Sequence, residues 1–218
     1  VEPATASPKI DATSAKVGTS VKYAREDHVH PVNLNNVLTG SKYANMPYTV
    51  GTTWGSMAYG DGKLVAPLQN LQYVAVSSDG GFDWGRNGQY SMPSTDTWNV
   101  TYGGGKFVAM GTGKCAVSTN GYSWQSVTMP ATGHWSKALY LSTGRFISVC
   151  SGTNVAAYSD DGLAWTATTL PSSGNWSCVT GYPGKIYAVQ SDSNTLCYSN
   201  DGSTWEYWTP FGSSGYVC

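Results

Sequence analysis

The sequence predicts an all-β fold in which four repeats of about 40 residues form a small β-propeller. Four tryptophans in Ser-x-x-Gly-x-x-Trp segments lie 40, 41 and 40 residues apart, at Trp84, Trp124, Trp165 and Trp205. A second series opens each repeat, at Trp54, Trp98, Trp135 and Trp176. Within a repeat, four short β-type runs alternate with turn signals. A four-stranded unit of this length is typical of a propeller blade.

Each repeat begins with its tryptophan and first strand, and a glycine-cation-apolar turn then leads into the second strand. The four turns begin at Gly62, Gly105, Gly144 and Gly184. A connection of variable length leads to the third strand, and the Ser-x-x-Gly-x-x-Trp turn leads to the fourth. Counted from Ser78 in the first repeat, this last turn has the same length in all four repeats.

Composition excludes two classes of partner. The 218 residues carry 12 Lys and Arg against 13 Asp and Glu, a net charge of −1, so the basic surface that binds nucleic acid is missing. No run of 18 apolar residues occurs, which predicts no membrane insertion through a spanning helix. Nine Trp and fifteen Tyr would expose a large apolar surface unless they packed, so we expect a folded chain.

The five cysteines follow no metal-binding or disulfide spacing, and an odd number cannot all pair within the chain. We expect mostly free, buried thiols and assembly in a reducing cytosol. The chain starts at Val1 without a visible signal peptide, which we interpret as a fragment.

One turn carries a first resemblance. Ser77-x-Asp79-x-Gly81-x-x-Trp84 resembles the Asp-box of sialidase-like propellers, and the other three turns are one residue tighter. A short Asp or Asn can accept bonds from its own backbone, and glycine supplies positive φ. We therefore predict that Asp79, Asn120, Asp161 and Asp201 hold turns and catalyse nothing.

The sequence predicts no enzyme. A sialidase grips its substrate carboxylate with an arginine cluster, whereas only Arg25, Arg86 and Arg145 exist here. Glycoside hydrolysis needs two opposed carboxylates, and few acids remain outside the turns. Neither a nucleophile elbow nor a phosphate-binding loop is present.

The front segment carries a second resemblance. Residues 17–31, Val-Gly-Thr-Ser-x-x-Tyr-Ala-Arg-x-Asp-His-x-His-Pro, resemble a segment that recurs in bacteriophage tail-fibre and receptor-binding proteins. The resemblance implies a homotrimeric fibre connector carrying a receptor-binding tip, located in the virion after assembly in the host cytoplasm. The implied domains are a connector and trimerisation segment, 1–40, a receptor-binding propeller, 41–212, and a tail, 213–218. The propeller repeats are 54–97, 98–134, 135–175 and 176–212, and residues 42–47 resemble the ends of fourth strands and predict an extra strand that helps close the ring.

His28 and His30 form a candidate metal site. Residues i and i+2 of a strand face the same way, so three copies at a threefold axis would offer six imidazoles to a transition-metal ion. The alternative is that both rings bond to the backbone or to Asp27 at the surface.

Variable connections place the candidate binding site on one face. The connections after the second strands and between repeats vary in length, and the Trp84 to Trp98 spacing is three residues longer than its counterparts. Loops on a rigid scaffold are where binding usually resides. Residues on this face that the repeat does not require are Gln69, Asn70, Tyr90, Asp96, His134, Asn154, Asn175, Asp192, Asn194 and Trp208.

Among these, Tyr90 and Trp208 are the predicted aromatic anchors. Tyr90 belongs to the longer connection, and Trp208 is the only tryptophan outside both series. Trp208 is a ligand platform, a plug that closes the ring, or a contact with a neighbouring chain. The constant-turn face is the alternative site.

Three functions follow, in order of preference. The first is a non-enzymatic fibre tip, of a phage or of a phage-tail-like particle, that binds a bacterial cell-surface glycan or outer-surface protein. The second is a structural propeller of the virion that contacts other tail proteins. The third is a glycan-degrading enzyme.

Overall fold

A computed structural model describes residues 53–85 and 90–208 as four antiparallel sheets of four strands, each in chain order. These ranges contain sixteen strands and no helix, so no described helix is long and apolar enough to cross a membrane. The all-β prediction is confirmed. The predicted connector, His28, His30, residues 42–47 and the C-terminal tail lie outside the described residues.

The first sheet contains β1 (Ala58–Gly60), β2 (Lys63–Pro67), β3 (Leu71–Ser77) and β4 (Ser91–Asp96). The second contains β5 (Asn99–Gly103), β6 (Lys106–Met110), β7 (Lys114–Ser118) and β8 (Gln125–Thr128). The third contains β9 (Leu139–Tyr140), β10 (Phe146–Val149), β11 (Thr153–Ser159) and β12 (Thr166–Gly174). The fourth contains β13 (Trp176–Tyr182), β14 (Lys185–Gln190), β15 (Leu196–Ser199) and β16 (Glu206–Trp208). The four strands predicted for each repeat are therefore present.

The sheets follow one another around a common centre, with their first strands innermost. Strand β1 packs on β5, β5 on β9, and β9 on β13. The Lys137 ammonium, just before β9, reaches across to the Met57 carbonyl beside β1 at 3.5 Å. The hydrophobic core lies between consecutive sheets and forms three clusters, one for each neighbouring pair.

The tryptophans that open the second, third and fourth repeats are the largest core residues. Trp98, Trp135 and Trp176 are completely buried. Each indole N–H donates to the carbonyl four residues earlier, on Ser94, Ala131 and Ser172, at 3.1, 3.0 and 3.1 Å. A buried indole N–H needs such a partner, so each tryptophan both fills the core and fixes the chain that enters its sheet.

The second tryptophan series closes the turn between the third and fourth strands. The Trp165 indole donates to the Gly162 carbonyl at 3.0 Å. Asp161 Oδ1 accepts from the amides of Leu163 and Ala164, and these bonds lower the pKa of the Asp161 carboxyl. The corresponding bonds recur at Asp79, Asn120 and Asp201, which confirms that all four residues hold turns.

The first sheet departs from the predicted constant turn length. Ser77 Oγ, rather than that of Ser78, accepts from the turn glycine amide, at 2.9 Å from Gly81. Ser118 takes the same part in the second sheet, at 2.8 Å from Gly121. The turn of the first sheet is therefore one residue longer than the others.

The cysteine prediction is confirmed for three of the four described thiols. Cys115, Cys150 and Cys197 are free and buried, whereas Cys178 is free and exposed. Burial raises the pKa of Cys115 and of Cys197 to about 12. These two thiols therefore stay protonated and act as small apolar core residues.

Replacement of an opening tryptophan should destabilise the fold far more than replacement of an exposed turn residue. Trp135→Ala leaves a cavity and an unpaired Ala131 carbonyl, so we expect a loss of about 3 to 5 kcal/mol in the free energy of unfolding. Leu163→Ala, at an exposed turn position, should change it by about 0.5 kcal/mol or less. Urea denaturation measures both, and equal losses would contradict the role assigned to Trp135.

Candidate functional site

The two ends of each sheet differ in what they carry. At one end, called the turn end, lie the turns between first and second strands and those between third and fourth strands, such as 60–63 and 77–84. At the other, called the loop end, lie the connections from second to third strands and those between sheets, such as 67–71 and 96–99. The predicted variable-connection face is the loop end.

Residues that precede the opening tryptophans are held at the loop end by backbone pairing. The Ser151 amide donates to the His134 carbonyl at 2.8 Å, and the Ser191 amide donates to the Asn175 carbonyl at 2.9 Å. The Gln69 amide makes the same bond to Thr53 in the first sheet, at 2.9 Å. These bonds extend the pairing of the inner two strands of each sheet, so the residues that they join lie near the common centre of the four sheets.

Asp96 ties the first sheet to the second at this end. Its Oδ1 accepts from the Thr97 amide at 2.7 Å and from the Thr112 hydroxyl at 3.1 Å. Its Oδ2 accepts from the Thr112 amide at 3.1 Å and lies 3.3 Å from Lys114 Nζ. Burial favours a raised pKa for Asp96, but the bonds from Thr112, Thr97 and Lys114 outweigh it, and the pKa is lowered. The carboxylate is therefore ionised and fully engaged.

His134 lies beside this carboxylate cluster. Its Nδ1 is 3.4 Å from the hydroxyl of Thr97 and 3.4 Å from that of Thr112. The ring is otherwise exposed. Thr112 thus lies between Asp96 and His134 and contacts both.

A second cluster lies where the third sheet meets the fourth. Asn175 Nδ2 donates to Asp192 Oδ2 at 2.6 Å, and the Ser151 hydroxyl lies 3.5 Å from Asn175 Oδ1. Because Ser151 also bonds to the His134 carbonyl, the two clusters form one continuous surface. We call this surface the polar row, which consists of Asp96, Thr97, Thr112, His134, Ser151, Asn175 and Asp192.

The structure brings most of the predicted site residues together. Asp96, His134, Asn175 and Asp192 belong to the polar row, and the amide of Asn70, at φ 58°, donates to the Asp96 carbonyl at 2.9 Å. Gln69 joins the same end through Thr53. Asn154 and Asn194 are exposed in the third and fourth sheets.

Sequence reasoning missed Thr97, Thr112 and Ser151. Thr97 occupies the position just before an opening tryptophan, as do His134 and Asn175. Aligning the repeats on these tryptophans would have shown that the three positions are equivalent, but only the contacts show which neighbouring hydroxyls join them.

Tyr90 does not lie in a connection between sheets, so its prediction as a loop-end anchor is wrong. Met92 and Trp98 are six positions apart, the same spacing as between Met129 and Trp135. The extra residues instead fall between Gly85 and Tyr90, before β4. The Tyr90 ring packs on that of Tyr122, a turn-end residue, at 4.6 Å. It is half-buried and stabilises the contact between the first two sheets.

Trp208 is also away from the polar row. It lies on β16 opposite Leu196, and its ring packs on Tyr187 at 4.6 Å and, edge-on, on Tyr198 at 6.2 Å. These side chains share one broad face of the fourth sheet. Leu196 begins β15 at the loop end, so Trp208 lies at that end of the outermost strand. Its three predicted roles, a ligand platform, a plug that closes the ring and a contact with a neighbouring chain, stay predictions.

Within residues 53–85 and 90–208, no group of three or more His, Cys, Asp or Glu side chains is arranged to hold a metal ion. The predicted ligands His28 and His30 lie outside these ranges.

Known structures share this architecture. Virginiamycin B lyase from Staphylococcus aureus, with quinupristin, is 14% identical, with a TM-score of 0.61 over 75% of this chain and 58% of the lyase. A streptogramin B lyase is 9% identical, with a TM-score of 0.60 over 73% and 56% of the two chains. YCF48 bound to D1 peptide is 14% identical, with a TM-score of 0.53 over 73% and 53%.

The chain therefore matches a little over half the length of the lyases. No family model matches the sequence, and no curated protein matches it. At these identities the likeness shows the fold alone, and that fold is a β-propeller.

Acid should destabilise the protein partly through Asp96. Because its folded pKa is lowered, its contribution is complete above the unfolded value of about 3.9 and is lost as the pH falls through the folded value. Asp96→Asn should lower the melting temperature at pH 7, and the difference from wild type should shrink between about pH 5 and pH 3. Asp83→Asn, at an exposed turn position, is the matched control. A difference for Asp96→Asn that stays constant with pH would contradict this account.

Proposed function

We propose that the protein is a non-enzymatic receptor-binding tip of a phage tail fibre, or of a related phage-tail-like particle, and that its polar row binds a bacterial surface glycan. The observation that carries the proposal is the exposed run of imidazole, hydroxyl and amide groups across the second, third and fourth sheets. Such groups donate to and accept from sugar hydroxyls.

The polar row is held rigidly before any ligand arrives. His134 and Asn175 each precede a completely buried tryptophan, and their carbonyls are bonded to the backbone of the adjacent connection. Side chains that are already ordered lose less conformational entropy on binding. A rigid polar row therefore suits ligand binding better than a mobile loop does.

The two carboxylates of the row support binding without catalysis. Asp96 is held ionised by its bonds and by Lys114, so it is a poor proton donor at neutral pH. Asp192 is bonded to Asn175 at 2.6 Å. Glycoside hydrolysis requires one protonated and one ionised carboxyl group that face each other across a substrate.

The fibre assignment rests on the resemblance of residues 17–31 to the tail-fibre segment. A trimeric fibre would present three copies of the polar row to one cell surface. Three weak sites on a shared support gain avidity without new contacts, which suits a shallow polar site.

The receptor assignment is tested at the polar row. His134→Ala combined with Asn175→Ala removes two exposed hydrogen-bonding side chains, and we expect binding of each site to weaken by roughly tenfold, following the energies of such bonds. Binding to whole bacteria, to purified lipopolysaccharide and to a glycan array measures the effect.

Asn200→Ala is the matched control, because Asn200 is exposed at the turn end. It should bind as wild type does. Equal losses in both variants would move the receptor site to the turn end. Retention by other tail proteins alone, with no glycan or cell binding, would replace the receptor role by a structural one.

A further inference from the structure

The three contacts between consecutive sheets repeat the same close approach. A turn glycine of the following sheet lies against an aliphatic side chain of the preceding sheet, so closely that an added Cβ would lie within about 3 Å of it. The pairs are Gly121 with Val65 at 2.9 Å, Gly162 with Val108 at 3.1 Å and Gly202 with Ile147 at 2.7 Å. We call the side of a sheet that carries the aliphatic residue its forward face, and the opposite side its rear face.

A basic residue spans two of these three contacts. Lys106 Nζ in the second sheet donates to the Asp161 carbonyl in the turn of the third, at 3.0 Å. Arg145 Nη1 in the third sheet donates to the Asp201 carbonyl in the turn of the fourth, at 3.1 Å. At these two contacts the cation that follows the turn glycine reaches the next sheet, whereas Lys63, at the first contact, bonds to Asp61 of its own turn.

A tyrosine and a glycine fit together near the centre. The Tyr102 ring covers Gly60, and the Tyr140 ring covers Gly103, so a Cβ at either glycine would collide with the ring. At the third contact, the two positions are Leu141 and Gly181, because Leu141 pairs with Arg145 as Gly103 pairs with Lys106. The larger side chain of the pair is here on the third sheet, and Leu141 is buried.

The positions that would join the fourth sheet to the first make no such contact within the described chain. A Cβ at Gly81, in the turn of the first sheet, would meet only Leu64 and Trp84 of its own sheet. Tyr187, which corresponds to Val65, packs on Trp208 of its own sheet. The forward face of the fourth sheet and the rear face of the first thus lack the contact that joins every other pair.

Two further residues at this unfilled contact show the same vacancy. Tyr59 and Tyr182, at the positions of the tyrosine and glycine, are 67% and 61% exposed. These values are the largest among the exposed large apolar side chains described.

We propose that the forward face of the fourth sheet binds the rear face of the first sheet of a second copy of this chain. The forward face is apolar and aromatic, and its described members include Tyr182, Tyr187, Val189, Leu196, Tyr198 and Trp208. Most of them are half-buried, whereas their counterparts Ile147, Val149 and Ala156 in the third sheet are completely buried. Exposed patches of this kind mark interaction surfaces.

The first sheet offers a matching surface. Tyr187 is larger than the Val or Ile at its counterparts, and the turn it would approach is one residue longer and contains Gly80 and Gly81, both at positive φ. Gly80 has open space around it, with nothing within 4 Å of an added Cβ. Lys185 follows its turn glycine as Lys106 does, and it would reach the carbonyl groups of that turn as Lys106 reaches the Asp161 carbonyl. A larger side chain thus faces a wider recess.

A second copy fits better than closure within one chain. The matching part of the chain covers only 56–58% of the length of the lyase propellers, so a ring of that size holds more sheets than the four described. A contact from the fourth sheet of one copy to the first sheet of the next is head-to-tail, and such contacts close when the copies form a cyclic assembly.

Cysteine cross-linking distinguishes the two arrangements. A full-length chain carries Tyr59→Cys and Tyr182→Cys, together with Cys178→Ser and Cys218→Ser, which remove the exposed thiol among the described residues and the C-terminal thiol. It is oxidised gently and run under non-reducing conditions. We expect links between copies. A link within one chain would show that the ring closes on itself and would overturn the proposal, as would the absence of any link.

Two controls separate this contact from chance collisions. A matched chain keeps Tyr59→Cys but carries Thr119→Cys in place of Tyr182→Cys, because Thr119 is exposed at the turn end of the second sheet. This chain should form no link between copies. Tyr187→Arg in the cross-linking chain should lower the yield of linked copies severalfold, while its circular dichroism stays that of the wild type. Equal yields in the control chain or with Tyr187→Arg would overturn the proposal.

Discussion

The arrangement depends on burying the opening indole of the second, third and fourth repeats while satisfying its N–H. Trp98, Trp135 and Trp176 are completely buried, and each donates to the carbonyl four residues earlier. An unpaired indole N–H in the core would cost free energy. The bond therefore holds the connection that leads into each sheet, and the same residue sets both the core and the path of the loop-end backbone.

That constraint explains why the loop end is an ordered surface. His134 and Asn175 are each one residue before a buried tryptophan, so their backbone is as fixed as the core itself. Their side chains point away from it and meet neighbours from the adjacent sheet, through Thr112 and Ser151. A polar surface built this way varies in side chain from repeat to repeat while its backbone stays the same, which suits recognition.

The contacts between sheets show how close packing tolerates change. Tyr140 covers Gly103, and the corresponding positions one contact further on hold Leu141 and Gly181, with the larger residue on the other sheet. Interiors are close-packed, so a side chain lost on one sheet has to be replaced from the other. At the two ends of the described array, Tyr59 and Tyr182 are both large and both exposed, and the same reasoning predicts that something covers them.

The sequence alone determined the repeat, the four strands per unit and the turn residues, because each depends on local spacing: Trp165 and Asp161 act within one turn. It also located the loop end, where Asp96 and His134 were found. Only the tertiary structure decided that the extra residues near Tyr90 precede β4, and that Trp208 lies on a broad sheet face. Those placements depend on strand register and on contacts between sheets, and residue counts between tryptophans do not reveal at which end of a strand an insertion falls.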